Sequence, residues 1–520
     1  MPDYMYMLES RLSAEQRAAM MRVQELAAAA SANVYLTGGA VRDLISGAPI
    51  RDLDFTIEGN PSRLVRELEK GGAQIVFENE RLRQVEMIFA GDCDGSLSAA
   101  RDNVYARPGT TPEIRWSTIM EDLRCRDFSL NAIAISLNPA SRGLLLDPTN
   151  GLSDILENRE IRALSIHSFT NQPVRLLRAL RFATRMGFKL ENRTAEWFSL
   201  AFDRDLQHEI PAEDAGAELR AVGREDKPVP ILKAWESRDL LGTFHPQLAR
   251  RHPHYDALQR LTKVRDDLVS AGLRPRLQWA AISAILGRLK SRERSAALSR
   301  MAFRSAEAAS ILGLEEAAAK AQKMLASRKT AAPGDAYRFL EKLPLDQMAF
   351  LLAESSNSKA LGKIRNYIHK WRPLRQELPN VETELAGLGM SKGPAFAKVI
   401  EQLFQQQLVG KGRNPIDRVK LLRKLSGIKE PPKKKVKEER KKPASKFAQR
   451  AAARKAEGSA PPAGKPGTGK QEAGWPAKGK AAPQADVKGK KEAPKHPAPV
   501  SAKKTKAPVT GRARGKRKKR

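Results

Sequence analysis

Thr37-Gly38-Gly39-Ala40-Val41-Arg42-Asp43, followed nine residues after Asp43 by Asp52-Leu53-Asp54, decides how this 520-residue sequence is read. Val34-Tyr35-Leu36 ahead of it has the character of a strand, and Ala40–Ser46 reads as a short helix stopped by Gly47. Leu53–Ile57 reads as a second strand. Because side chains alternate along a strand, Asp52 and Asp54 are expected to share a face. Two neighbouring carboxylates repel, and a hard divalent cation such as Mg²⁺ relieves that repulsion while docking phosphate oxygens. The glycines let the backbone approach a triphosphate, and the helix N-terminus offers it free N–H groups and a positive dipole end. Arg42, in the first turn, is placed to reach the same anion. The combination predicts a site for nucleotidyl transfer.

Charge points the same way. The formal balance is +34, and residues 431–520 carry 29 Lys/Arg against 6 Asp/Glu, a net +23 that leaves +11 for the rest. Such an excess implies a polyanionic partner, nucleic acid before membrane. Cys93 and Cys125 are the only cysteines, which excludes a disulfide framework, is too sparse for structural zinc, and fits a reducing compartment. No signal-like segment and no apolar run of membrane-spanning length occurs, so a soluble, cytoplasmic protein with no membrane partner is expected.

Along the chain, residues 9–30 predict an opening helix, 61–70 another, and 75–78 and 85–89 two further strands. Residues 90–112 read as a polar loop region, and 120–137 as a helix interrupted at Arg126-Asp127. From about Ser168 the strand signals vanish. Leu/Ala-rich segments of helical period follow at 173–187, 213–223, 255–271, 276–302, 304–326, 334–354, 358–370, 393–409 and 415–425. After Lys429 the sequence is Lys, Ala, Pro and Gly with few aliphatic residues, a composition that predicts disorder.

Four motifs in order carry a resemblance to the bacterial poly(A) polymerase and CCA-adding tRNA nucleotidyltransferase family, of the class with a helical body. They are Gly38–Asp43 with Asp52-Leu53-Asp54; Glu121-Asp122-Leu123-Arg124-Cys125-Arg126-Asp127-Phe128-Ser129-Leu130-Asn131-Ala132; Leu146-Asp147-Pro148-Thr149-Asn150-Gly151-Leu152-Ser153-Asp154; and Val174-Arg175-Leu176-Leu177-Arg178-Ala179-Leu180-Arg181-Phe182. A weaker match returns at Leu388-Gly389-Met390-Ser391-Lys392-Gly393-Pro394. The resemblance implies an α+β protein: a small mixed α/β nucleotidyltransferase head, an all-α neck, body and tail region, and a disordered basic C-terminal tail. The expected division is an N-terminal helix (1–30), head (31–165), neck (166–250), body (251–428) and basic tail (429–520).

Residue by residue, the family implies that Asp52 and Asp54 hold two Mg²⁺ ions and that Gly38, Gly39 and Arg42 cradle the triphosphate of ATP or CTP. Arg126, Asp127 and Asn131 would contact the nucleotide's sugar and phosphates. Asp147–Asp154 would be a hinge, and Arg175, Arg178 and Arg181 would face the nucleotide from the neck. The implied reaction is template-independent addition of CMP and AMP to a tRNA 3′ end by a two-metal mechanism. The motifs are shared with poly(A) polymerases that act on general RNA 3′ ends, and that alternative stays open.

The chain departs from the family at two points. Asn171-Gln172 stands where a Glu-Asp pair usually precedes the arginine row. The second acid of that pair accepts from the amine of cytosine or adenine. Gln172 can accept through its oxygen but can also donate through its NH₂, so weaker discrimination against uracil and guanine is expected. A further acid usually found just before an Ala-Arg pair is also missing; the stretch here is Ser96–Arg101, with Asp92 and Asp94 the nearest acids. These departures motivate a third reading, a catalytically weakened RNA-binding protein on the same scaffold.

At 100° per residue, Arg175, Arg178, Arg181 and Arg185 occupy about a third of a helix circumference. With no acid interleaved, the row predicts an anion among its guanidinium groups. His245, His252 and His254 form no metal pattern, since no His is followed by Asp, and loop or helix-cap roles are expected. The basic tail is expected to bind RNA without reading its sequence.

Overall fold

β1 (Val34–Thr37) lies inside a seven-stranded sheet with β2 (Leu53–Ile57), β3 (Gln74–Asn79), β4 (Gln84–Phe89) and β5 (Cys93–Ala99). β6 (Arg101–Val104) and β7 (Glu113–Trp116) form a separate antiparallel hairpin. β8 (Ala134–Ser136) and β9 (Leu145–Leu146) complete the large sheet, whose order is β3-β4-β5-β2-β1-β8-β9. Its pairings are antiparallel except for β2 with β5. A computed structural model of the protein describes residues 3–428, so the expectations for 429–520 lie outside the described residues.

Three readings are corrected. The opening segment is two helices, Tyr4–Arg11 and Ala14–Ala29, because Ser13 caps the second in a reciprocal box with Gln16. Residues 90–112 are not a loop region: they contain β5 and β6. The segment 120–137 is helical only over Ile119–Arg124, then passes through a 3₁₀ turn at Ser129–Asn131 into β8.

After β9 the described chain is helical apart from a short parallel pair, Glu160–Ile161 with Lys189–Leu190. Several long predicted segments divide: 276–302 into Gln278–Leu286 and Ser291–Arg300, and 334–354 into Pro333–Glu341 and Leu345–Glu354. Pro394 opens the Pro394–Leu408 helix, at a first-turn position where its missing N–H leaves no hydrogen bond unmade.

The neck helix Arg175–Met186 is the spine of the arrangement. Leu176, Ala179 and Phe182 pack into the head's core with Leu36, Phe55 and Phe128, and the N-terminal helices join that core through Leu8 and Met20. Leu177 faces a second core around Phe244 and Trp235, and the Trp235 indole N–H donates to the Leu177 carbonyl at 2.9 Å. A third core, around Tyr337, Leu403 and Phe404, fills the distal helices. Anchored on both sides, the neck helix holds its arginine face in a fixed relation to the sheet.

Candidate active site

At the end of β1 the backbone takes φ 63°, ψ −126° at Gly38, a conformation closed to residues with a Cβ, and Gly39 opens the Gly39–Ser46 helix. Gly39 is the focus of the site. A Cβ placed there would lie 3.5 Å from Arg42 Nη2, 3.7 Å from Asp52 Oδ1 and 3.8 Å from Asp54 Oδ2. One at Gly38 would lie 3.4 Å from Arg126 Nη1 and 3.8 Å from Asp54 Oδ2. The two carboxylates therefore converge on one cradle that only a missing side chain keeps open.

Asp54 pairs with Thr37 across β1 and with Ser96 across β5, and Ser96 in turn pairs with Glu86. The Ser96 hydroxyl donates to Asp54 Oδ1 at 2.6 Å. Burial, with the charge of Asp52 added, pushes the Asp54 carboxyl up to about 7; the Ser96 bond works against that rise. No cluster of three or more His, Cys, Asp or Glu side chains suited to a metal occurs among the described residues. Asp92 and Asp94 face Arg276 at 3.0 and 3.5 Å. The donor set at Gly39 is thus two hard carboxylates beside an open cradle, which fits a divalent cation completed by phosphate oxygens.

Around the cradle the second motif supplies a hydrogen-bonded frame. Arg42 is buried, bonds Asp43 Oδ1 at 2.9 Å and donates to Asn131 Oδ1 at 2.7 Å. The Asn131 amide donates to Asp127 Oδ1 at 3.0 Å. Arg126 is held by Asp122 at 2.8 Å and donates to Thr56 at 3.0 Å. Asp147 accepts from the Gly151 and Leu152 N–H groups, both at 2.8 Å, and Asp154 accepts from Ser129, so the third motif is a tightly bonded turn.

The arginine row corrects the expectation that it lacks acids. They come from other elements. Glu218, on the Ala212–Gly223 helix, accepts from Arg178 Nε and Arg181 Nε at 2.8 Å each. Asp127 meets Arg178 at 2.9 Å, and Asp43 meets Arg185 at 2.7 Å. Glu225 bonds Arg181 and Arg51, both at 3.3 Å. Burial would raise the Glu218 carboxyl, but Arg181 and Arg178 outweigh it and hold it below its ordinary range. Arg175 differs: its guanidinium, 7% exposed, donates to Ser168 Oγ at 2.7 Å and to Gln172 Oε1 at 3.0 Å, with no ion pair among the described residues. Burial lowers its pKa, and Asp127's charge opposes that.

Gly38, Gly39, Arg42, Asp52, Asp54, Arg126, Asp127, Asn131, Gln172, Arg175, Arg178 and Arg181 all line one cavity of about 1570 Å³. Its far wall includes Lys227, Arg265 and Arg274 from the helical part. Sequence reasoning missed Glu218, Glu225 and Ser96. Glu218 had a signal, a lone charge inside the buried stripe Ala215, Leu219 and Val222. The histidines behave as expected: His245 Nδ1 and His254 Nδ1 accept from the Gln247 and Ala257 N–H groups and cap their helices. No helix among the described residues is long and apolar enough to cross a membrane.

Residues 34–162 match the poly A polymerase head domain. An A-adding tRNA nucleotidyltransferase of Halalkalibacterium halodurans is 30% identical over 421 residues, 79% of this chain and 93% of that protein. One of Aquifex aeolicus is 29% identical over 72% of this chain and 44% of its own length. A CC-adding tRNA nucleotidyltransferase of Deinococcus radiodurans is 38% identical over 29% of this chain and 40% of its own. This chain thus spans less than half of the last two. A match running nearly end to end along the first, head and helical body together, makes this chain a member of the poly(A) polymerase and tRNA nucleotidyltransferase family.

Proposed function

We propose that the protein adds CMP and AMP to the 3′ end of tRNA without a template, in the cytoplasm. The observation that carries this reading is the convergence of Asp52, Asp54 and Arg42 on the open cradle at Gly39. Asp52 and Asp54 would hold Mg²⁺, which when bound supplies Lewis-acid stabilisation of the reacting phosphoryl oxygens. Gly38 and Gly39 admit the triphosphate to backbone N–H groups, and Arg42 and Arg126 offset its charge. Asn131 and Asp127 set the positions of Arg42 and Arg178. Gln172 and Arg175 meet the base edge, one as acceptor and the other as fixed donor. The division of labour is a head at 31–165, a neck at 166–250 and a body at 251–428, with the basic tail adding sequence-independent RNA contacts.

A narrower reading, addition of A alone, is favoured by the A-adding relatives. The discriminating experiment supplies Mg²⁺ and labelled nucleoside triphosphates, each alone and CTP with ATP together, with tRNA lacking its last three nucleotides, tRNA lacking only the last, or an oligo(A) primer. Incorporation of C and then A on the first substrate supports full CCA addition. Activity on the second alone supports A-addition, extension of the primer supports poly(A) synthesis, and no incorporation on any substrate overturns the enzymatic reading.

A further inference from the structure

We propose that Tyr105, on the loop joining β6 to β7, sets nucleotide choice by holding the side-chain amide of Gln172 in one orientation. The inference rests on the reading that Gln172 and Arg175 meet the base edge. An amide presents an acceptor at one end and donors at the other, and rotation by half a turn exchanges them. Here both ends are engaged. Arg175 Nε donates to Gln172 Oε1 at 3.0 Å, and Gln172 Nε2 donates to the Tyr105 hydroxyl oxygen at 3.2 Å. Arginine has no acceptor, so only the oxygen can face it. The NH₂ must then turn toward the hairpin, where Tyr105 accepts.

The loop is itself tied to the neck at a neighbouring point. The Gly109 N–H donates to Asn171 Oδ1 at 2.9 Å. Asn171 and Gln172, the two amides that replace the usual acidic pair, therefore each contact the same loop. The positions that set this chain apart from its family are paired with a hairpin that fixes them. Gln172 Oε1 retains a second lone pair, which can accept from the amine of cytosine or adenine and cannot pair with the carbonyl of uracil or guanine. Losing the Tyr105 oxygen leaves the NH₂ without its partner, so that turning it onto such a carbonyl, at the expense of the Arg175 contact, regains a bond for the amide. Tyr105 is a positioning residue, acting through Gln172, and it compensates for the ambiguity of an amide where relatives use a symmetric carboxylate.

The test measures kcat and KM for all four nucleoside triphosphates with the full-length protein and a tRNA lacking its 3′ terminus. Tyr105→Phe is expected to raise the UTP-to-CTP ratio of kcat/KM on the order of 5-fold, through KM, with kcat for CTP held. In a Gln172→Asp background the same substitution should leave the ratio unmoved, because a carboxylate has no wrong end. If Gln172→Ala shifts the ratio while Tyr105→Phe does not, the role of Tyr105 is overturned and the base-reading role of Gln172 stands. If neither shifts it, both are overturned. An equal loss for all four nucleotides in Tyr105→Phe reduces the tyrosine to a support for the hairpin and overturns the proposal as well.

Discussion

Asp127 of the head and Arg178 of the neck helix meet at 2.9 Å inside the cavity that holds the cradle. Burial would raise the Asp127 carboxyl, but Arg178 and Arg175 overcome it and hold it down at about 2. A carboxylate depressed in the folded state adds stability above its unfolded pKa, and that stability is lost as pH falls through the folded value. The window here runs from about 4 to about 2. Asp127→Asn should remove a pH-dependent contribution on the order of 2 kcal/mol. In denaturant titrations the gap between wild type and variant should be widest at pH 5–7 and close toward pH 2. A gap independent of pH would mean the pair contributes no linkage.

The two glycines should separate folding from binding. Gly38→Ala forces a side chain into a backbone region it avoids and is expected to destabilise by about 1–2 kcal/mol. Gly39→Ala meets its neighbours at 3.5–3.8 Å, ordinary contact distances, so the fold should tolerate it. It nevertheless fills the cradle, and nucleotide incorporation should drop by more than about tenfold. Thermal melts and single-nucleotide incorporation measured on both variants decide this; a fully active Gly39→Ala protein moves the triphosphate elsewhere.

Asp54→Asn removes one of two facing charges while keeping an oxygen for the Ser96 hydroxyl. Incorporation should be abolished, as in Asp52→Asn. In metal-free buffer at pH 8 the variant should be more stable than wild type, by on the order of 1–3 kcal/mol, because the buried like-charge repulsion is gone. Adding Mg²⁺ should raise the wild-type melting temperature and leave the variant's unchanged. A variant that incorporates nucleotide at the wild-type rate refutes the assignment.

The net +23 of residues 431–520 predicts a large counterion-release contribution to RNA affinity. Truncation after Ile428 should leave the melting temperature intact, weaken RNA binding at low salt, and flatten the slope of log affinity against log salt. An unchanged slope shows that these residues do not engage RNA.

The cradle was legible because its chemistry is local. Gly38 adopts a backbone conformation that other residues avoid, and Asp54 in β2 and Asp52 one residue ahead of it reach the same cradle, as two-residue alternation along an extended chain expects. β5 was not legible, since Cys93-Asp94-Gly95-Ser96-Leu97-Ser98-Ala99 has poor strand propensity. Packing explains its composition: a Cβ at Gly95 would strike the Leu53 carbonyl at 2.3 Å and the Phe89 ring at 2.6 Å, so the position between β2 and β4 admits only glycine. Ala132-Ile133-Ala134-Ile135 suits a buried strand or a buried helix equally, so the pattern carries the helix of 120–137, interrupted at Arg126-Asp127, through what is β8. The partners of the arginine row lie on other elements, beyond the reach of any pattern within the row.

Glu218 follows from that last point. It is 2% exposed and joins Arg178 to Arg181, which has Glu225 as a second acid. Removing one partner of a buried ion pair leaves the others uncompensated, and Glu218→Ala is expected to destabilise by about 3–5 kcal/mol. Glu218→Gln, which keeps an acceptor, should cost less. The sharper readout is linkage to nucleotide. With Glu218 in place Arg178 and Arg181 are already paired, so ATP should raise the wild-type melting temperature chiefly through the cradle, Arg42 and Arg175. In Glu218→Gln the vacated positive charge offers the triphosphate an additional attraction, and the ATP-induced shift should be larger than in wild type. An equal shift in both proteins would show that Arg178 and Arg181 are structural links within the neck and from neck to head, with no part in holding the nucleotide.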